Sequence, residues 1–380
     1  MKNRITLRLV CVLMALVLVF AGCAKDEPVP TEPATEATTE ATTEAPTEET
    51  TEAPTEEPTE EPTEEVTEEP TEGGPMNPLT GEKLEEELTN RFFCVSINNV
   101  KPALPHSGVV NADLYFEMFI NDYCTRGLAM FADVKDAGPI GSIRSLRYNF
   151  TDIAQGYDAI VVHAGGSESV MNDLKASGVK NVNGNNMGGF YRDSARKAAG
   201  YATEHTLFAY GEKLLAEAGK RGYRTTLNDE KDFGLRFTED GTPAEGETAS
   251  TVNVNFILNG RSKSSTMVYD ESLGGYVYQQ YGMTMKDDAT GAKECFENVV
   301  VIVTNVTNKK ASGNTYHVAD LEGSGSGYFA CGGKIVPITW KRSGPNAPFS
   351  FNLSDGSTLK LGVGSSYIAI APTTSQITWQ

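Results

Sequence analysis

From residue 76 onward the chain alternates between two hydrophobic periods. Residues 91–99 are mostly apolar and end in Asn98 and Asn99, which predicts a buried strand closing on a polar loop. In residues 112–120, Leu114, Phe116, Met118 and Ile120 alternate with Asp113, Tyr115, Glu117 and Phe119, the period of a second strand, and residues 125–134 read as its neighbour. Gly138 to Ser142 reads as a turn, with Ser142 placed to N-cap a helix through about residue 154. Residues 157–163 predict a short apolar strand that runs into Ala164-Gly165-Gly166-Ser167, with a helix following to residue 177 and Ser167 as its cap. A further helix is expected over 206–218, where Leu207, Tyr210, Leu214 and Leu215 share one side. Helical patterning then largely stops. Val252, Val254, Phe256 and Leu258 alternate with Asn253, Asn255 and Ile257, and similar runs at 276–281, 298–306, 334–340, 349–353, 358–363 and 366–371 predict a β-rich C-terminal half. Gly323-Ser324-Gly325-Ser326-Gly327 lacks a strand-then-helix setting and reads as a turn.

The chain before residue 76 follows neither period. Lys2, Arg4 and Arg8 precede an apolar run from Leu9 to Phe20, then Ala21-Gly22-Cys23, the layout of a secretion signal and too short to span a membrane. It resembles a bacterial lipobox with Phe20 at the usual Leu position, so 1–22 is expected to be a lipoprotein signal peptide and Cys23 the acylated residue. Residues 24–75 hold 17 Glu and one Asp against one Lys, amid Thr, Pro and Ala, a composition that cannot offset the entropy of ordering. The stretch 23–75 is therefore expected to be a disordered acidic stalk, reaching at most roughly 160 Å. Once the −17 of that tail and the +3 of the N-terminal basic residues are taken out of the total of −19, residues 76–380 carry −5. A body so close to neutral argues against nucleic-acid binding. A polar stretch at 229–246 sets a soft boundary, giving an N-terminal α/β domain over 76–235 and a β-rich domain over 236–380.

Candidate chemistry gathers where predicted strands end in Gly-containing loops. Arg144 and Arg147, three apart on a predicted helix beginning at Ser142, suit an anion, because guanidinium forks and a helix N-terminus both favour carboxylate or phosphate. The alternative is structural pairing with Glu117 or Asp152. His163, at a strand end before Gly165-Gly166-Ser167, could bind a polar ligand or act as a base, or be a satisfied structural residue. His205, beside Glu204, is a weaker candidate. Glu117 and Arg126 lie on neighbouring predicted strands and are expected to pair. No ligand spacing for a metal is present, and no cofactor is expected. Cys94 with Cys124, and Cys295 with Cys331, are the plausible disulfides for an exported chain, with buried free thiols the alternative.

Asn77-Pro78-Leu79-Thr80-Gly81, Ser96-Ile97-Asn98-Asn99, Ala112-Asp113 through Glu117, Thr125-Arg126, Ile140-Gly141-Ser142-Ile143-Arg144-Ser145 and Val162-His163-Ala164-Gly165-Gly166-Ser167 follow one another in an order that resembles the YerB-like bacterial lipoprotein family. The chain departs from that pattern at Ser142-Ile143, where Pro-Val is frequent, and at Glu204-His205-Thr206, where Pro-His-Asn is frequent. The resemblance implies a membrane-tethered extracytoplasmic protein with an α+β layered sandwich, a mixed α/β N-terminal half and a β-rich C-terminal half, and assigns it no particular activity, so that binding or scaffolding is favoured over catalysis. The leading functional expectation is binding of a polar or anionic cell-envelope ligand, or of an envelope protein, through Asn98, Glu117, Arg126, Ser142, Arg144, Ser145, Arg147, His163, Ser167 and His205. The rivals are an envelope hydrolase using His163 with Glu117 or Asp113, and a scaffold that docks through exposed aromatic patches.

Overall fold

A computed structural model of the protein describes residues 74–121, 124–311 and 313–380, which fall in one compact unit. The expected signal peptide, Cys23 and the acidic stretch up to residue 73 lie outside the described residues. The first half supplies β1 (Phe93–Ile97), β2 (Leu114–Asn121), β3 (Cys124–Phe131), β4 (Pro139–Gly141), α1 (Tyr148–Gly156), β5 (Ile160–His163), α2 (Glu168–Ser177), β6 (Asn181–Asn183), β7 (Phe190–Arg192), α3 (Ser194–Ala198), β8 (Leu207–Tyr210) and α4 (Gly211–Lys220). The second half is built of strands: β9 (Phe237–Thr238), β10 (Glu247–Thr248), β11 (Thr251–Leu258), β12 (Arg261–Asp270), β13 (Gly275–Gln280), β14 (Met283–Thr284), β15 (Cys295–Phe296), β16 (Asn298–Thr304), β17 (Val306–Ala311), β18 (Asn314–Ala319), β19 (Gly323–Cys331), β20 (Lys334–Arg342), β21 (Ser350–Leu353), β22 (Leu361–Gly362), β23 (Ser366–Pro372) and β24 (Gln376–Trp379). No helix among the described residues is long and apolar enough to cross a membrane.

One large sheet runs through both halves in the order β10-β20-β19-β16-β23-β2-β3-β1-β5-β6, with β21 also on β20. The join is β23, parallel to β2 on one side and to β16 on the other. The alternation along β2 explains the layering. Leu114, Phe116 and Met118 point to one face, where α1 and α2 cover them with Phe150, Ile153, Val170 and Leu174. Tyr115 and Phe119 point to the other, where the sheet β14-β13-β12-β11-β24 supplies Val254, Phe256 and Tyr278 and α4 supplies Leu214. Each such side chain contributes about 1.5–3 kcal/mol by leaving water. The architecture is the expected α+β layered sandwich.

Several elements differ from the pattern-based expectation. The chain at residues 142–147 is extended, not helical: the Ile143 amide donates to Leu207 O (2.7 Å), the Arg144 amide donates to Ser96 O (2.9 Å), and the β-branched Ile143 side chain is drawn into the core. Helix α1 thus begins at Tyr148 with Arg147, not Ser142, in the N-cap position. The expected helix at 206–218 starts as strand β8, which pairs with β4 and β7, and turns helical only at Gly211. Glycines 323–327 lie within β19, an inner strand, and not in a turn. Their missing side chains leave room for a neighbour, since a Cβ on Gly325 would sit 2.6 Å from Trp340 Nε1. Only Leu361–Gly362 of the run 358–363 is strand.

Asp113, at the entrance to β2, accepts hydrogen bonds from the Ala132 amide (2.7 Å) and from Asn77 Nδ2 (2.5 Å). Burial outweighs both and pushes its carboxyl up to about 6. A carboxyl with a raised folded-state pKa stabilises the fold below its unfolded value near 4, and that contribution is lost as pH rises through about 6. Asp113→Asn should therefore flatten the decline in unfolding free energy between pH 4 and pH 6.5, read by urea titration at each pH. An unchanged slope would mean that Asp113 ionises in the fold as it does in the unfolded chain.

Candidate anion-binding site

The parallel strands β1, β5 and β6 end together, and antiparallel β3 begins at the same place, with Ile97 opposite Gly127. In open α/β sheets the crevice outside the carboxyl ends of the strands is where ligands sit. Residues 142–147 cross this end. The Asn98 amide donates to Ser142 O (2.9 Å), the Ala164 amide to Arg144 O (2.9 Å) and the Leu146 amide to Gly165 O (2.8 Å), so Arg144 is held between the ends of β1 and β5. Strand alternation puts Arg126 on the face of β3 that carries Leu128 and Met130, toward the helices. It donates from Nη1 to Ser145 O at 2.8 Å. Arg147 donates from Nη1 to Leu146 O (2.8 Å) and more weakly to Ser145 O (3.4 Å), its guanidinium lying 5.9 Å from the centre of the Tyr316 ring. Tyr316 meets Tyr148 edge to face, and Lys309 lies over Tyr148, so the hairpin β17–β18 walls one side.

Three guanidiniums thus lie within electrostatic reach of one another at the strand ends, and among the described residues none forms an ion pair. The Nε of Arg126, Arg144 and Arg147 are each buried without a hydrogen-bond partner, and the Arg144 side chain has none at any nitrogen. Arg126 is only 3% exposed. Burial first, then the charges of Arg147 and Arg144, pull its guanidinium well below the usual arginine range. Arg147 is lowered by burial too, with Tyr316 and Cys124 acting against that and Arg144 with it. The Cys124 thiol lies beside them. Burial raises its pKa, and the arginines oppose the rise. The exposed Glu204 carboxyl is held below its ordinary value by its own backbone amide first, with His205 and Arg144 adding to the effect. A cluster of like charges with no acid closing it is what an anion would complete.

The remaining sequence candidates divide by place. Asn98 Nδ2 contacts His205 Nδ1 at 2.8 Å, while Asn98 Oδ1 and Ser142 Oγ are buried and unpartnered. Ser145 acts through its carbonyl, which also accepts from Ser96 Oγ at 3.3 Å. Burial lowers His205, against Glu204 and with Arg144 and Arg196. His163 is at the same strand ends but is fully engaged: Nδ1 lies 2.9 Å from Gly165 O and Nε2 3.2 Å from Asn181 Oδ1, and burial lowers its pKa. Ser167 caps α2 by accepting from the Val170 amide at 3.4 Å.

Glu117 stands apart from all of these. Register places it opposite Gly127, so it points to the second sheet while Arg126, opposite Met118, points the other way. The expected Glu117–Arg126 pair is therefore not formed, because residues one apart on a strand face opposite sides. The partner of Glu117 is Lys263 of β12, and Thr125, Ser265, Tyr278, Tyr367 and Asn99 also donate to its carboxylate. Burial alone would raise its pKa, but Lys263 and these donors hold it below the ordinary range. Neither Glu117, across the sheet, nor Asp113, at the opposite end of β2, is brought to His163, so the arrangement expected of a hydrolase is not assembled. Cys94, Cys124, Cys295 and Cys331 are all free thiols. No group of three or more His, Cys, Asp and Glu among the described residues could hold a metal. A groove of about 580 Å³ lined by Asp240, Pro243, Phe329, Val336, Leu353 and Leu359 lies in the second half and holds none of the arginines.

Sequence pattern found the arginines but not what surrounds them. Lys263 and Ser265 fall at inward positions of β12, which made that strand look polar, and Tyr316 lies on a hairpin with no apolar period. The alternation along β12 is one of burial, at Lys263, Ser265 and Met267, and not of residue type, so the sequence offers no signal for it.

Fold and crevice together define an α+β sandwich protein with an arginine-lined site at the strand ends. The chain belongs to the family described as protein of unknown function DUF3048, whose N-terminal domain matches residues 79–224 and whose C-terminal domain matches residues 252–368. It is similar to YerB of Bacillus subtilis strain 168, a protein named as a candidate lipoprotein, at 27% identity over 299 residues, 78% of this chain and 86% of that one. The crystal structure of YerB from Bacillus subtilis shares the fold, with a TM-score of 0.68 and 24% identity over 80% of this chain and 99% of that one.

Proposed function

We propose that the protein is a lipid-anchored extracytoplasmic lipoprotein whose body holds an anionic ligand of the cell envelope in the crevice of Arg126, Arg144 and Arg147. The observation that carries this reading is the convergence of three guanidiniums with no ion-pair partner among the described residues. The tether is supported by Cys23 behind a short apolar run and by similarity to a protein named as a candidate lipoprotein. Asn98, Ser142 and His205 border Arg144 and would complete the polar wall.

The Arg144 side chain makes no structural hydrogen bond, and its backbone bonds to Ser96 and Ala164 survive substitution, so Arg144→Ala should leave the fold intact and act on binding. Losing a charged hydrogen bond costs about 1.5–3 kcal/mol, roughly 10- to 100-fold in affinity. The check is native mass spectrometry of the full-length chain with digested cell wall. Wild type should retain a wall-derived mass that Arg144→Ala loses, and equal retention by both would remove the arginine crevice as the binding site.

A further inference from the structure

We propose that the anion is a phosphoryl group carrying two negative charges, a phosphomonoester or a terminal pyrophosphate, and not a carboxylate or a phosphodiester. This names the ligand class of the crevice and rests on the binding reading above.

The first argument is charge. Arg126, Arg144 and Arg147 bring three formal positive charges together, one of them on a side chain 3% exposed. A buried charge persists only when it is paired and hydrogen-bonded. A monoanion would leave two of the three unbalanced in a partly desolvated place. A dianion leaves one, beside the exposed Glu204 and solvent.

The second argument is the number and direction of donors. The guanidiniums come from two elements, Arg126 from the start of β3 and Arg144 and Arg147 from the extended segment that ends at α1, so they approach from different directions. A planar carboxylate presents only two oxygens, both in one plane, and a guanidinium fork matches that plane edge to edge. A tetrahedral phosphoryl end presents three oxygens in three directions and can engage all of them. All three Nε atoms are without partners, and Arg144 is without any, so donors remain for each oxygen.

The third argument is the helix. α1 is nine residues long and starts directly after Arg147 with no side chain capping it. Its positive end therefore begins beside Arg147 and favours phosphate.

The test is calorimetric titration of the full-length chain with glycerol 3-phosphate, dimethyl phosphate and acetate, at pH 7.5 and pH 5. The second ionisation of a phosphomonoester lies near pH 6, so its dianion dominates at the higher pH and falls to about a tenth at the lower. Glycerol 3-phosphate should bind at least about tenfold more tightly than either monoanion at pH 7.5, and most of that advantage should vanish at pH 5. Arg144→Ala should weaken it by about 10-fold or more, and Arg126→Met, checked for folding by circular dichroism, should do the same. Dimethyl phosphate or acetate binding equally well would overturn the dianion and leave the anion crevice standing. So would failure of all three probes while wall fragments still bind through Arg144. Binding of every probe and of wall fragments indifferent to Arg144→Ala would remove both.

Discussion

Lys263→Met should destabilise the fold by about 3–5 kcal/mol, the cost of leaving one member of a buried ion pair without its partner. Glu117 is fully buried between the two sheets, and Lys263 is the cation that answers it. The carboxylate would keep its hydroxyl donors from Ser265, Tyr278 and Tyr367, which softens the loss without replacing the charge. The double replacement Glu117→Leu with Lys263→Met removes both charges and should be clearly milder than the sum of the single changes, because neither is left stranded. Urea unfolding of the four proteins gives the coupling. If Lys263→Met cost under about 1 kcal/mol, Lys263 would not be the group that holds the Glu117 charge, contrary to its place as the main influence lowering that pKa against burial.

The second large effect concerns Trp340 in β20. It is 2% exposed, donates from Nε1 to Val303 O at 3.1 Å, and lies across the glycines of β19. Trp340→Ala should cost about 3–5 kcal/mol by the cavity it opens. Gly325→Ala in the native background should also destabilise, by about 1–3 kcal/mol, because its Cβ would stand 2.6 Å from the indole nitrogen. In the Trp340→Ala background the same change should be near neutral, since the atom it strikes is gone. Additive losses would show that Gly325 is required for its backbone and not for the space it leaves.

These two sites mark where sequence was legible and where it was not. The strands β1, β2, β11 and β23 follow apolar runs or strict alternation and were read directly. The same is true of α2, with its Ser167 cap. Strand β12 was missed because its inward positions include Lys263 and Ser265, which satisfy a buried acid across the sheets and carry no hydrophobic signal. Strand β19 was read as a turn because glycine usually marks one, whereas here it makes room for Trp340. Residues 142–147 could be read as a helix start by local rules alone, and only the carbonyls of Ser96 and Leu207 decide for extended chain. For the site, Arg144 and Arg147 were visible as chemistry. Arg126 was visible too, but its orientation depended on register against β2, which a single sequence does not state.

The position of β23 also governs the order in which the molecule can be made. Among the described residues this strand, residues 366–372, is the only link in the large sheet between β16 and β2. Until it is synthesised the first half carries a bare strand edge at β2 and the second half another at β16, both hydrophobic and both able to pair with the wrong chain. Helix packing on β2, β3, β1 and β5 can proceed early, but closure waits on contacts separated by some 250 residues, as between Tyr367 and Glu117. A nascent chain that has passed β16 but not yet reached β23 therefore carries two unfinished sheet edges, open to wrong pairing until residue 366 is added.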